Sequence, residues 1–194
     1  MAAESIVFAG QDDWLDQSTV HYKKAMKLLP QMNRQRHIVG SFRSLAAQAN
    51  LDQDVSTEFS ALLNIAELKG AMPEDEYRMG QILVGQNRGD LALDHFYQAV
   101  KLSDRHPRYL IGFGKALLLE NKVSAAFGQF ERAIRAIEST GDDSGFSDDL
   151  KPRAELFKGI ALLKLGRSAD GQQIVNEVLK SHPRLQEVYF QFSR

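Results

Sequence analysis

Few side chains in this sequence have the types and spacing that chemistry requires. Its five histidines stand at 21, 37, 95, 106 and 182, never at the i, i+4 spacing that sets two ligands on one helical face. No His–Glu or His–Cys cluster accompanies them, so no zinc site is expected. His106 and His182 each precede a proline near a helix end, where an imidazolium would meet the negative end of the helix dipole. Surface or capping roles follow. Gly112-x-Gly114-Lys115 has the look of a phosphate loop, but that chemistry needs glycines on a turn between a strand and a helix. Here they fall inside a helical period, which makes Gly114 a packing position. Asp143-Ser144-Gly145 has no histidine nearby and no nucleophile-elbow context. The surrounding STGDDSGFSDD, residues 139–149, lacks the alternating oxygen ligands and distal glutamate of a calcium loop. It reads as a solvated insertion, with the sharper alternative that its aspartates fold back over a basic groove. There are no cysteines, which removes disulfides, thiolate metal sites and thiol nucleophiles together. Nothing assembles a nucleophile, a base and an orienting group, so neither enzymatic activity nor a cofactor is expected.

The elements behind these residues belong to a globular chain. Of 194 residues, 43% are hydrophobic and 25% charged, with a formal net charge of -1. That composition supports a buried core and gives no global field for nucleic acid or an anionic membrane. The start, MAAESIVFAGQDDW, has no basic region and no apolar run long enough for a secretory signal. As written, the expectation is a cytoplasmic protein, or a periplasmic one if a leader or upstream domain precedes it. No stretch approaches the roughly 20 apolar residues of a membrane-spanning helix.

The decisive pattern is internal. A shift of 34 positions pairs Pro73 with Pro107, Gly80 with Gly114, Leu83 with Leu117, Asn87 with Asn121, Ala92 with Ala126, Phe96 with Phe130 and Ala99 with Ala133. Glycine and alanine suit places where two antiparallel helices approach closely, while leucine and phenylalanine fill the space between repeats. The prolines suit helix starts, and the asparagines suit left-handed caps where the first helix of each pair ends. Ala92-x3-Phe96 and Ala126-x3-Phe130 make the chain resemble the tetratricopeptide repeat family, and a bacterial member of it. The resemblance implies an all-α fold: an antiparallel helix-hairpin, right-handed solenoid of about ten helices with no sheet. Repeats are expected at 73–106 and 107–140, then an acidic insertion at 141–151, a divergent repeat at 152–183 and a capping helix at 184–194. In the divergent copy Gly159, Leu162, Gly166 and Pro183 fit the pattern, while Gly171, Val175 and Val178 depart from it at the small and aromatic places. Residues 1–72 form an N-terminal helical region, a degenerate repeat or a cap. Its stripes are Ile38, Val39, Phe42, Leu45, Ala46, Ala49 and then Val55, Phe59, Leu62, Leu63, Ala66, at helical spacing. Before them Trp14, Leu15, Val20, Tyr22, Ala25, Met26 and Pro30 read as a further helix.

In the resembled family the first helix of each pair lines the concave face, and set places along it point at a ligand. Carried over by position, these are Glu74, Tyr77, Gln81 and Val84, then Arg108, Ile111, Lys115, Leu118 and Leu119. Arg153, Leu156, Ile160, Leu163 and Lys164 follow, and a degenerate earlier copy offers Arg43 and Ala47. The alternative reading of Leu118, Leu119, Ile160 and Leu163 is plain packing between repeats. Such a face suits an extended peptide or protein partner with apolar anchors and acidic character. The resemblance implies a non-enzymatic scaffold or adaptor. The alternative is a substrate-specific chaperone, since Arg108–Gly114 is similar to a stretch in bacterial type III secretion chaperones. The family's carboxylate clamp for chaperone tails is not expected, because its lysine and asparagine places hold Tyr77 and Gln81, Ile111 and Lys115, and Leu156 and Ile160. The oligomeric state is left open.

Overall fold

A computed structural model describes residues 31–68, 70–103, 106–140 and 149–193. The helix read around Trp14–Pro30 and most of the acidic insertion lie outside the described residues. Within them are nine α-helices and no strand: α1 Gln31–Leu51, α2 Val55–Glu67, α3 Pro73–Gly85, α4 Gly89–Leu102, α5 Pro107–Leu119, α6 Val123–Thr140, α7 Leu150–Lys164, α8 Ser168–Ser181 and α9 Gln186–Phe192. A 3-10 turn, Pro183–Leu185, joins α8 to α9. The helices pair as hairpins α1/α2, α3/α4, α5/α6 and α7/α8. The second helix of each hairpin also packs on the first helix of the next, and the first helices of adjacent hairpins touch from α3 onward. That is the stacking of a helical repeat solenoid.

One turn closes all four hairpins. Gln53, Asn87, Asn121 and Gly166 have φ of 58°, 59°, 55° and 80°, the left-handed region that Gly and Asn tolerate best. After each, the next amide reaches back to close the helix: Asp54 to the carbonyl of Ala49, Arg88 to Leu83, Lys122 to Leu117 and Arg167 to Leu162, at 2.8–2.9 Å. These bonds satisfy carbonyls that a helix end would otherwise leave unpaired. Gln53, Asn87 and Asn121 keep the 34-residue spacing, so the first hairpin turns in register with the clear copies. Pro73 and Pro107 each occupy the first turn of their helix, where a missing amide hydrogen costs nothing.

The core forms where small residues meet large ones. Phe96 and Phe130, 2% and 0% exposed, lie against Gly80 and Gly114. A Cβ on those glycines would sit 2.9 Å from the Phe96 ring and 2.4 Å from the Phe130 ring. In the divergent hairpin Val175 takes the aromatic's place, and the two helices close the gap through Gly159 and Gly171. A Cβ on Gly171 would meet the carbonyl oxygen of Gly159 at 2.8 Å. In the first hairpin Glu58, only 4% exposed, stands 34 places before Ala92. Its carboxylate accepts from Arg78 Nε and Nη2 at 2.7 and 2.8 Å and from Asn50 at 3.0 Å. A buried charge is tolerated only with such pairing.

Phe130 and Gly114 form one packing unit, and their substitutions should couple. Gly114→Ala is expected to cost about 1–3 kcal/mol by overpacking, and Phe130→Ala about 3–5 kcal/mol by leaving a cavity. Combining Gly114→Ala with Phe130→Ala should cost less than the sum of the two single changes. Urea denaturation of the four chains measures this, and strict additivity would refute the coupling.

Candidate functional site

Helix α5 has one side to spare. Gly112 accommodates the previous hairpin, since a Cβ there would meet Tyr77 at 2.6 Å and Phe96 at 2.9 Å, and Gly114 accommodates Phe130 of its own hairpin. The phosphate-loop look of this stretch is therefore two close helix approaches, as expected of a packing position. Arg108, Ile111 and Lys115 follow one another at i, i+3 and i+7, along a single stripe of the helix. They line a groove of about 470 Å³ with Tyr77 and Gln81 of α3, Arg153 and Phe157 of α7, and Val188 and Gln191 of α9. His106, Asp149 and Leu150 complete the lining.

The groove has a rigid end and a cationic end. At the α3 end the Arg108 guanidinium lies 4.8 Å from the Tyr77 ring centroid and 3.1 Å from Glu74 Oε1. The Tyr109 hydroxyl donates to Glu74 Oε2 at 3.0 Å. Burial, and then this bond to a carboxylate, push the Tyr109 hydroxyl up to about 12, so it stays a donor. Glu74 is thus the tie that fixes Arg108, and Tyr77 packs edge-on against Tyr109 and Phe96. At the other end Lys115 Nζ lies 5.6 and 5.4 Å from the ring centroids of Phe157 and Phe192, within cation–π range. Burial first, and then the charge of Arg153, hold its ammonium below the ordinary lysine value. Among the described residues neither Lys115 nor Arg153 has a carboxylate within ion-pair distance. Asp149, at the rim, is paired with Arg184.

Six of the positions read from the repeat meet here: Tyr77, Gln81, Arg108, Ile111, Lys115 and Arg153. Others do not. Leu118, Leu156 and Ile160 are 6%, 0% and 0% exposed and belong to the main core cluster. Leu185 and Phe192 enter the same cluster, with Val188 and Tyr189 against it. The C-terminal turn and helix therefore cover the face that α7 would have offered, and its aliphatic residues are core. Lys164 is exposed at the end of α7 and Ala47 is exposed on α1, both outside the lining. Leu119 is also exposed, Leu163 and Val84 are half-buried, and none of the three lines the groove. Arg43 is committed to Asp75 and the Gly70 carbonyl, at 2.8 and 2.9 Å. Phe157, on α7, was missed because it falls between the expected places Leu156 and Ile160, and Val188 and Gln191 because α9 lies outside the 34-residue period. Only its apolar spacing marked it, as a cap.

His106 overturns its expected role. It is the N-cap of α5, and its Nδ1 accepts from the Arg108 amide at 3.3 Å, at the positive end of a dipole and not the negative one. Burial and the neighbouring Arg108 lower its pKa from the ordinary 6.5, which keeps Nδ1 an acceptor. His182 does end α8, as its C-cap. Because the folded pKa of His106 is depressed, its contribution to stability is complete above about pH 6.5 and is lost as pH falls through the folded value. His106→Ala should cost about 1 kcal/mol or less at pH 7, as a lost cap. His106→Asn should keep the cap and lose less stability than the wild type between pH 7 and 5. Thermal denaturation at both pH values measures the difference, and equal acid losses would remove the capping role.

Among the described residues no group of three or more His, Cys, Asp and Glu could hold a metal ion, and no helix is long and apolar enough to cross a membrane. No family model matches the chain, and no curated protein matches it in sequence. Solved structures do match. The chain is similar to YrrB, described as a TPR protein with an unusual peptide-binding site, at 15% identity over 88% of this chain and 79% of that one, with a TM-score of 0.64. It is similar to PilF of Pseudomonas aeruginosa at 13% identity over 77% of this chain, with a TM-score of 0.58, and spans 63% of PilF's length. At these identities the likeness is one of fold, and with the four hairpins it makes this chain an all-helical, tetratricopeptide-like repeat solenoid.

Proposed function

We propose that this chain is a non-enzymatic interaction module, a scaffold or adaptor that holds an extended segment of a partner protein in the groove between α3, α5, α7 and α9. One observation carries the reading: residues from three successive hairpins and the C-terminal helix converge on a single groove that mixes apolar surface with cations. Tyr77, Leu150 and Val188, all half-buried, offer apolar contact, and Lys115 and Arg153 favour acidic character in the partner. The peptide-binding description of YrrB is in keeping with a protein or peptide ligand. The secretion-chaperone alternative rested on Arg108–Gly114. In that run Tyr109, Leu110 and Ile111 are buried and both glycines seat aromatic rings, so packing accounts for the likeness and the groove reading stands first.

Filling the groove from its exposed rims tests the reading without touching the core. Gln81 and Gln191 line the groove and are exposed, whereas Gln172 and Gln173 lie on the exposed side of α8. Affinity capture from native lysate with Gln81→Trp/Gln191→Trp should lose the protein retained by the wild type. Gln172→Trp/Gln173→Trp should retain it, with all three chains melting within a few degrees of one another. Capture of the same protein by all three would place binding elsewhere.

A further inference from the structure

Lys115 is a half-buried cation that no described residue neutralises. Its ammonium lies against the Phe157 and Phe192 rings, Arg153 also lines the groove, and no described carboxylate pairs with either. Among the described residues other half-buried cations have found a carboxylate, Arg43 with Asp75, Arg78 with Glu58 and Lys158 with Glu131, while Arg132 donates to Gln129. Arg108, the third cation of the groove, is already held by Glu74 and Tyr77 and serves as a fixed wall. Ring faces stabilise an ammonium only in part, and burial leaves a charge costly until a counter-charge is supplied. No described carboxylate supplies that counter-charge, and an acidic group on a ligand would.

We infer that the segment held in the groove places an acidic side chain between Lys115 and Arg153, with an apolar residue on each side of it. The flanking requirement comes from the lining. Half-buried Tyr77 stands on α3, before the helices that carry the two cations, and half-buried Leu150 and Val188 stand on α7 and α9. A chain passing across the cations can use both apolar sides, whereas a chain ending on them would use one. The carboxylate is therefore assigned to an Asp or Glu within the segment and not to a chain terminus. This inference rests on the groove reading above and specifies the ligand that the groove selects.

The test is selection from a randomised nine-residue peptide library with both ends blocked, against the full chain, Lys115→Met and Arg153→Gln. Lys115→Met keeps an unbranched side chain against the two rings and removes the charge. Enriched sequences should carry one Asp or Glu with apolar neighbours on both sides, and Lys115→Met should enrich the apolar residues without the acid. For a selected peptide, Glu→Gln should weaken binding to the wild type about tenfold, as expected for a charge-assisted pair, and binding to Lys115→Met less than about twofold. Enriched sequences without an acid, or an acid preference that both variants leave intact, would overturn the inference and leave the groove reading in place. So would acid-dependent binding that appears only when the library is repeated with free C-terminal carboxylates. No enrichment over the Gln81→Trp/Gln191→Trp chain would remove both.

Discussion

An aromatic ring seated on a backbone that lacks a Cβ is the contact on which the rest of this molecule depends. Phe96 on Gly80 and Phe130 on Gly114 bring the two helices of a hairpin to a separation that no larger residue permits. With that separation set, the left-handed residues at 87 and 121 can close the hairpin in two bonds, and each second helix presents its opposite side to the next hairpin. Close packing transmits the constraint along the stack, because interiors of this density accommodate a change of one methylene only by displacing their neighbours.

The two end hairpins meet the same constraint by other means. Where Val175 replaces the aromatic, a glycine on each helix restores the close approach. In the first hairpin Ala46 and Leu62 stand at the places of Gly80 and Phe96, and both are buried. A softer small-and-large pair there is joined to the next hairpin by the Glu58–Arg78 pair, which adds polar contact at that seam.

The groove is a by-product of this packing that acquires its own chemistry. Two glycines of α5 take up the neighbouring rings, and the stripe that remains carries Arg108, Ile111 and Lys115. Helix α9 then covers Leu156 and Ile160 with the cluster of Leu185 and Phe192, which shortens the open face and sets the Phe192 ring beside Lys115. Arg108 is neutralised from within by Glu74. The result is a face with one cation paired to Glu74 and two that no described carboxylate pairs, beside the half-buried apolar side chains of Tyr77, Leu150 and Val188.

The fold was legible because a helical repeat states its packing locally. Proline at a helix start, asparagine or glycine at the turn and the small-to-aromatic pairing recur at fixed intervals, so one alignment of the chain on itself placed the helices from Pro73 onward. Gln53 escaped that reading because glutamine gives no sign of a left-handed conformation; only its backbone shows that the first hairpin turns in register. Groove-lining positions were legible in α3 and in α5 as far as Lys115, where the stripe left over after packing is determined by the helix's own period. They were not legible in α7, where identical spacing yields core residues at Leu156 and Ile160, because burial there is decided by a helix that the repeat does not contain. The histidine at 106 shows the same division. Its place beside a proline marked a helix end, but which end, and hence whether the ring serves as a cation or an acceptor, depended on the helix to which it belongs. Sequence determines what each residue can do within its own element; whether a surface is left open is settled by which elements come to lie against it.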